Sequence, residues 1–301
     1  MTASILVVGS LAYDDVRTPM DSRDGVLGGA ASYFAMAASR YAPVRLVGVV
    51  GDDFDASDVE RLRGAGIDLA GLERRDGTSF RWKGTYDFAL DTAETINTDL
   101  GVFGDWRPTV PETFASSELV FLANIDPEIQ LATLAQVKTP RLVALDTMNY
   151  WIEHKRDALI DVMAKVDVVS INEAEARQLC ETYSVVRAAR EILDMGPTSL
   201  IVKRGEHGAT LFTREFSFWA PAYPVEDIAD PTGAGDTFAG GFLGALAESD
   251  AIDGAALKRA MLHGVVCSSF SVESFSIDGM AAADRADIER RYEELRALIT
   301  L

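Results

Sequence analysis

A glycine-rich turn followed by an acidic residue is the feature of this chain best suited to chemistry. The turn, Gly233-Ala234-Gly235, joins an extended segment that ends at Asp230-Pro231 to a helix whose apolar residues recur every four positions from Phe238. The first N–H groups of a helix lack intrahelical partners, and its dipole favours negative charge. The turn therefore predicts an anion site, and Asp236 follows it directly.

Asp236 has two interpretations. If a hydroxyl attacks an anion bound at the turn, a carboxylate beside it is the base that removes the proton. If no reaction takes place there, the carboxylate only complements the helix dipole, which is worth about 0.3–1 kcal/mol. The turn alone does not separate the two interpretations, so the elements around it must.

Short apolar strands alternate with helices along most of the chain. This alternation predicts an α/β fold with a mostly parallel sheet covered on both faces. Ligands of such sheets bind at the carboxyl edge, where strands at 4–8, 119–122, 167–171 and 199–202 are each followed by polar residues or glycine. The residues expected near that edge include Asp14, Asn124, Asn172, Glu175, Lys203, Gly205 and Gly208.

The pattern changes between residues 79 and 100, where polar residues alternate with aromatic or β-branched ones. Such alternation predicts antiparallel strands with one solvated face. A small sheet inserted in a βα series indicates a lid, which would exclude water from phosphoryl transfer. We therefore predict a main α/β domain at residues 1–10, 28–76 and 104–301, and a discontinuous β-lid at residues 11–27 and 77–103.

The composition indicates a globular protein that binds neither nucleic acid nor membranes. Of the 301 residues, 48% are hydrophobic and 25% are charged, which is typical of globular chains. A formal net charge of −19 opposes binding to polyphosphate backbones. The longest apolar runs are strand-sized, and the start lacks the basic segment of a signal peptide. Two cysteines far apart suggest no disulfide or zinc site, so we expect a cytoplasmic location.

Two further glycine patterns bear on the function. Gly28-Gly29 opens an alanine-rich helix, where the missing side chains allow either close packing or the approach of a ligand hydroxyl to the backbone. No Walker loop occurs in the sequence. A dinucleotide fingerprint starting at Gly233 would need a glycine where Phe238 stands. An NAD-dependent oxidoreductase is therefore a weak alternative.

Taken together, these motifs resemble the ribokinase-type, or PfkB, family of carbohydrate and nucleoside kinases. Asp230–Asp236 is similar to the family's C-terminal signature and Gly28-Gly29 to its N-terminal one. Val7–Asp14 resembles the first strand with its substrate-contacting aspartate. Asn172–Glu175 resembles the Asn-x-x-Glu element, and Lys203–Gly208 the glycine loop beside the nucleotide. The matches follow the family's order along nearly the whole chain.

The resemblance implies a ribokinase-like, Rossmann-like α/β/α sandwich with a β-lid that forms a homodimer, and it implies ATP and Mg²⁺ as cofactors. It makes Asp236 the general base for a primary alcohol, with the N–H groups of Gly233, Ala234 and Gly235 as an anion hole. Glu175 would hold Mg²⁺ through water, and Asp230 a monovalent cation such as K⁺. The other implied contacts are Asp14, Gly28, Gly29, Tyr33 and Asn124 with the acceptor, and Asn172, Lys203, Gly205, Gly208, Thr232 and His263 with the nucleotide.

Several departures from the family pattern leave the acceptor open. Tyr33 stands where ribokinase has asparagine, Lys203 stands where many relatives carry threonine, and residues 146–149 read Asp-Thr-Met-Asn instead of Asp-Pro-Asn. We expect a small sugar or sugar derivative as acceptor, with a nucleoside as the second choice. The alternatives are purely structural roles: Tyr33 would be a core tyrosine, Asn124 would cap a loop, and His263 would pack between helices. A non-catalytic sugar or nucleotide sensor is the alternative from another functional class.

Overall fold

The computed structural model describes residues 2–90 and 93–300. Residues 91 and 92 belong to the predicted lid and lie outside the described residues. Within the described part, the chain forms thirteen strands and eleven α-helices. The strands are β1 (Ile5–Val8), β2 (Ala12–Arg17), β3 (Ser22–Gly28), β4 (Val44–Val50), β5 (Ile67–Arg74), β6 (Phe80–Thr85), β7 (Glu94–Asp99), β8 (Leu119–Leu122), β9 (Leu142–Asp146), β10 (Val168–Asn172), β11 (Ser199–Lys203), β12 (Ala209–Thr213) and β13 (Ser217–Ala220).

Nine of the strands form the main sheet, in the order β13-β12-β11-β10-β9-β8-β1-β4-β5. The seven strands from β11 to β5 are parallel, and β12 and β13 continue one edge as antiparallel neighbours. Most residues of the central strands are buried, since helices cover both faces of the sheet. The predicted mostly parallel sheet is confirmed.

The four remaining strands form a small sheet in the order β3-β2-β6-β7. Its two outer pairs, β2 with β3 and β6 with β7, are antiparallel, as the alternating pattern predicts. The central pair, β2 with β6, is parallel. Two hairpin-like units therefore join side by side, and the second of them supplies the alternating segment after residue 79.

The helices form a layer on each face of the main sheet. Strand β1 shows how the layers divide, because Ile5 and Val7 belong to one buried cluster and Leu6 and Val8 to the other. The first cluster contains residues of α1 (Ala30–Ala38), α2 (Ala56–Gly64), α8 (Ala234–Ala247), α9 (Gly254–Val272), α10 (Asp278–Ala282) and α11 (Arg285–Ile299). The second contains residues of α3 (Pro127–Leu134), α4 (Asn149–His154), α5 (Arg156–Met163), α6 (Glu173–Leu179) and α7 (Val185–Asp194).

Helix α8 is held between α1 and α9 at very short range. A Cβ on Gly240 would overlap the backbone of Phe34 in α1, and one on Gly241 would come within 2.8 Å of the His263 carbonyl oxygen in α9. Only glycine permits such close packing, so the two residues fix the axis of α8 against its neighbours. The N-terminal end of α8, which carries the predicted anion turn, is thereby positioned on a rigid element.

No helix in residues 2–90 or 93–300 combines the length and the apolar character that a membrane span requires.

Candidate active site

The N-terminus of α8 begins at a glycine and has no side-chain cap among the residues that the structure describes. Gly233 is the N-cap residue, with a φ of 73°. The Ala234 N–H already bonds the Pro231 carbonyl at 3.2 Å. The Gly235 N–H lies at a position where an α-helix offers no backbone partner. Of the three predicted anion donors, Ala234 is thus partly committed to the turn itself.

Tyr33 packs directly against this turn. Its side chain is buried in α1, and a Cβ on Gly233 would overlap its ring. The Tyr33 hydroxyl is also buried and has no hydrogen-bond partner in the described part of the chain. Burial and the negative charges of Asp14 and Asp230 raise the pKa of Tyr33 well above its usual value. The ring therefore supports the turn, while the hydroxyl faces an acidic environment.

Asp14 lies on β2 of the small sheet, within the segment predicted to belong to the lid. Its side chain is only 4% exposed, and a Cβ on the facing Gly28 would overlap its carboxylate. The Gly29 N–H also donates to this carboxylate. Burial, followed by the charges of Asp230 and Asp236, raises the pKa of Asp14 to about 8. The structure thus brings Asp14 together with the glycine pair.

Asp236 occupies the third position of α8 and is partly accessible. Burial and the charge of Asp146 raise its pKa to about 7, although the Lys203 ammonium acts in the opposite direction. A base with this pKa is well matched to proton removal near neutral pH. Because the charge of Asp236 also raises the pKa of Asp14, the two carboxylates belong to one electrostatic cluster.

Three neighbouring strands of the main sheet end in polar residues of the site. Asp146, Asn172 and Lys203 are the last residues of β9, β10 and β11. The Lys203 side chain crosses the end of β10, and its Nζ lies 2.7 Å from Asp146 Oδ2. The same Nζ lies 2.9 Å from the position that a Cβ on Gly235 would take. The ammonium therefore sits beside the anion turn.

Asn172 and Glu175 form a capping box at the start of α6. The Glu175 N–H donates to Asn172 Oδ1 at 2.8 Å, and the Asn172 N–H donates to Glu175 Oε2 at 2.9 Å. Burial raises the pKa of Glu175 to about 7, against the opposing effect of Lys203. The pair is thus rigid, and Glu175 adds another carboxylate close enough to Lys203 to act on its charge.

Asp230 and Thr232 lie on the other flank of the turn. Asp230 Oδ1 accepts the Thr232 N–H at 2.8 Å, whereas its Oδ2 is buried without a hydrogen-bond partner among the described residues. The Asp230 and Ala229 N–H groups both donate to the Val272 carbonyl, so this segment is attached to the end of α9. The Tyr86 hydroxyl, from the small sheet, lies 3.2 Å from Thr232 Oγ1.

Comparison with known proteins shows which family the chain belongs to. The family model described as pfkB family carbohydrate kinase matches residues 3–281. The chain belongs to the PfkB family. It is therefore a phosphotransferase, and ATP binding is expected of a PfkB kinase.

Two relatives of this chain are named for nucleosides. A cytidine kinase from Thermococcus kodakarensis is 30% identical over 245 residues, which cover 79% of this chain and 87% of that protein. A nucleoside kinase from Methanocaldococcus jannaschii is 25% identical over 233 residues, or 76% of this chain and 73% of that protein.

Solved structures confirm the ribokinase-like fold. The M. jannaschii nucleoside kinase superposes with a TM-score of 0.79 at 21% identity, covering 98% of this chain and 99% of that chain. A ribokinase-family structure from E. coli in complex with ATP and Mg²⁺ gives a TM-score of 0.78 at 20% identity, covering 97% of this chain and 99% of that chain. At these identities the likeness concerns the fold.

Three other predicted site residues of this PfkB kinase are Gly205, Gly208 and Asn124. Gly205 and Gly208 have φ values of 53° and 83° in the loop between β11 and β12. A Cβ on Gly208 would overlap the Ala220 carbonyl, so that glycine serves close packing against β13. Asn124 Oδ1 accepts the Trp151 indole N–H at 3.0 Å, which links the loop after β8 to helix α4.

His263 lies in the interior of α9 and is buried. Its ring stacks on Tyr292 at 4.3 Å between centroids, and its Nδ1 is 3.2 Å from the Tyr41 hydroxyl. Burial, with Arg285 and Arg259 nearby, lowers the pKa of His263 to about 3. These contacts favour the helix-packing role for His263, because burial between two tyrosines leaves little of the ring for a nucleotide.

Sequence reasoning missed two residues of the PfkB site. In the sequence, Asp146 stands out only as part of an unusual loop. It ends a strand at the same edge of the sheet as Lys203, and this shared edge is the signal that could have paired the two residues. Tyr86 follows β6, and nothing in the local sequence indicates that its hydroxyl reaches Thr232. The second contact depends on how the small sheet is placed over α8, which is a tertiary property.

Proposed function

We propose that this PfkB kinase transfers the γ-phosphoryl group of ATP to a primary hydroxyl of a pentose-containing acceptor, with Asp236 as the general base. The observation that carries the proposal is the position of Asp236. It lies in the first turn of an uncapped helix, beside a lysine ammonium, and is electrostatically coupled to the buried Asp14. Asp14 and the Gly28-Gly29 backbone would bind the hydroxyls of the acceptor.

In the proposed step, Asp236 accepts the proton of the acceptor hydroxyl while that oxygen bonds to the γ-phosphorus. The bond between this phosphorus and the oxygen bridging to the β-phosphate breaks, and ADP leaves with the electron pair. The free N–H groups at the start of α8 stabilise charge on the transferring group, as oxyanion-hole donors do. Proton removal of this kind contributes about 10²–10⁴ in rate.

The residues present fit Mg²⁺ bound through water. Among the residues that the structure describes, no three His, Cys, Asp or Glu side chains cluster closely enough to hold a metal by themselves. Mg²⁺ usually keeps several waters and uses one or two carboxylates together with substrate phosphates. Glu175, fixed by its capping box, supplies such a carboxylate. When bound, Mg²⁺ would neutralise phosphate charge beside the turn.

Asp230 fits a monovalent cation such as K⁺. Its Oδ2 is a buried acceptor without a partner in the described part of the chain, and burial raises the pKa of its carboxyl group. A cation there would satisfy the oxygen and remove a buried negative charge that otherwise raises the pKa of Asp14.

Within the pentose-containing acceptors, the two relatives described above favour a nucleoside over a free sugar. The two relatives described above are named for cytidine and nucleosides, and ribose is common to both groups and to the ribokinases. This reverses the order expected from the sequence, where a sugar came first.

The small sheet would close over the acceptor through Tyr86. We retain the homodimer through this sheet as a proposal, since every residue of β7 is exposed.

The test compares Asp236→Asn with Asp287→Asn. Asp287 occupies the same third helical position in α11, so it is a matched control for the dipole interpretation. ADP release is measured with ATP, Mg²⁺ and a panel of nucleosides, pentoses, hexoses and sugar acids. Wild type should turn over at least one pentose-containing acceptor, and Asp236→Asn should lose about 10²-fold or more in kcat while still binding ATP.

Two results would contradict the proposal. Near-normal turnover by Asp236→Asn, or equal losses in both variants, would leave Asp236 as a helix-dipole residue. No acceptor-dependent ADP release with any compound of the panel would favour the sensor interpretation.

A further inference from the structure

Lys203 forms a buried ion pair that the fold alone does not require. The Lys203 side chain is 19% exposed and that of Asp146 5%, with 2.7 Å between Nζ and Oδ2. Replacing a buried ion pair by apolar residues is often neutral or stabilising, because desolvation of both charges offsets their attraction. The pair is therefore poorly explained by stability, and a functional reason is needed.

The surroundings of Lys203 keep its ammonium charged. Burial alone lowers the pKa of a lysine, but the charges of Asp146, Glu175 and Asp236 outweigh it, so the pKa of Lys203 is raised. An ammonium has three N–H donors. Asp146 takes one of them, and the others remain for a group at the turn. Nζ is already beside the turn, 2.9 Å from where a Cβ of Gly235 would stand.

Asp146 is itself fixed by the chain around it. Its Oδ1 accepts the Thr147 N–H at 2.8 Å, and its backbone carbonyl accepts from Gln130 Nε2 at 3.0 Å. Gln130 Nε2 also donates to the Ala123 carbonyl, which ties the ends of β8 and β9 together. The carboxylate therefore has one orientation, with Oδ1 held by the backbone and Oδ2 free to hold Lys203.

We propose that Lys203 is a catalytic residue that places its ammonium against the transferring phosphoryl group, and that Asp146 is the positioning residue that holds it there. This inference rests on the proposed function, because it concerns the same phosphoryl transfer. Lys203 donates to a non-bridging oxygen of the transferring group as the bond to the acceptor oxygen forms and the bond to the leaving oxygen breaks. Its proton is not transferred.

A lysine fixed by Asp146 would recognise a triphosphate better than a diphosphate. The γ-phosphate is the group nearest the turn in the proposed step, and ADP lacks it. Binding of a non-hydrolysable ATP analogue should therefore depend on Lys203 far more than binding of ADP. This difference can be measured without acceptor, so it remains informative even if the acceptor has been assigned incorrectly.

The experiment compares Lys203→Met, Lys203→Arg and Asp146→Asn with the control Lys138→Met. Lys138 is an exposed lysine in the segment that precedes β9, and its ammonium contacts Glu112. Calorimetry gives the Kd of ADP and of an ATP analogue with a β,γ-imido bridge, and steady-state kinetics give kcat and KM. Thermal unfolding shows whether each variant is folded.

Lys203→Met should lower kcat by about 10²–10³, the loss seen when one oxyanion donor is removed. It should also weaken analogue binding by about tenfold or more, the effect of about 1.4 kcal/mol, and leave ADP binding within about threefold. Asp146→Asn should lower kcat less, and the double variant should be no worse than Lys203→Met alone, because Asp146 acts through Lys203. Lys203→Arg should retain more activity than Lys203→Met, and Lys138→Met should match wild type.

Two outcomes would overturn the inference. One is a folded Lys203→Met with kcat within threefold of wild type. The other is an equal loss of analogue and ADP binding, which would make Lys203 a general support of the nucleotide site. If Lys203→Met does not fold, Lys203→Arg and Asp146→Asn decide the matter, since unchanged kcat in Asp146→Asn would contradict the positioning role.

Discussion

Replacing Asp14 by asparagine should stabilise the ligand-free protein by an amount that grows as the pH rises from about 4 to about 8. Asp14 is 4% exposed, and burial together with the charges of Asp230 and Asp236 raises the pKa of its carboxyl group to about 8. Asparagine has nearly the same shape and can still accept the Gly29 N–H. It carries no charge, so it removes the cost of burying the ionised form.

The sign and the size follow from proton linkage. In the unfolded chain Asp14 loses its proton near pH 3.8, whereas the folded chain keeps it up to about pH 8. Between these values the folded state binds more protons, so the wild-type free energy of unfolding falls as the pH rises. The slope for one group is about 1.4 kcal/mol per pH unit, which gives about 4 kcal/mol between pH 5 and pH 8 as an upper bound.

The assay measures the Tm of wild type and Asp14→Asn from pH 5 to pH 9, without acceptor, ATP or K⁺. The advantage of the variant in Tm should grow by up to about 8 °C between pH 5 and pH 8, if about 2 °C corresponds to 1 kcal/mol, and it should level off above pH 8. Asp15→Asn is the matched control. Asp15 is the next residue of β2 and is 36% exposed, with its carboxylate near Lys83. The same pH-dependent gain in Asp15→Asn would show that the effect does not come from the burial of Asp14.

A Tm difference between wild type and Asp14→Asn that stays constant from pH 5 to pH 9 would refute the reasoning, because it would mean that Asp14 ionises equally in both states. The same variant should raise the KM for the acceptor, since Asp14 is proposed to bind its hydroxyls. Substitutions at a functional site often raise the stability of a protein while they weaken its function.

Two further predictions concern the flanks of the turn. Gly233→Ala should lower the free energy of unfolding in urea titrations by about 2–5 kcal/mol, because Gly233 has a positive φ of 73° and a Cβ there would overlap Tyr33. Gly205→Ala is the control, with a φ of 53° and open space at its Cβ, and it should lower the free energy of unfolding by only about 1–2 kcal/mol. Equal losses would show that Tyr33 does not constrain the turn. K⁺ should raise the Tm of wild type but not the Tm of Asp230→Asn. At a K⁺ concentration of 100 times the Kd, the free energy of unfolding of wild type should increase by up to about 2.7 kcal/mol. An equal response of both proteins to K⁺ would place the cation elsewhere.

The main sheet could be predicted from the sequence because its signals are local. Residues 44–50 form one uninterrupted apolar run apart from Arg45, and β4 has these bounds in the structure. The anion turn is also local, since the glycines, the proline and the first apolar positions of α8 lie within one short stretch. The small sheet can be predicted only in part. Alternation of polar and apolar residues shows that a strand has one solvated face, but it does not show which strands pair. The parallel pairing of β2 with β6 joins segments far apart in the chain.

The sequence by itself determined the fold class, the strand ends that carry polar residues, and the carboxylate at the start of α8. Only the tertiary structure decided what surrounds those groups. It placed Asp14 on the small sheet against Gly28, brought Lys203 across the end of β10 to Asp146, and enclosed His263 between tyrosines. The physical reason is that burial and charge pairing depend on residues distant in sequence, and these set the pKa values and donor positions on which the proposed chemistry rests.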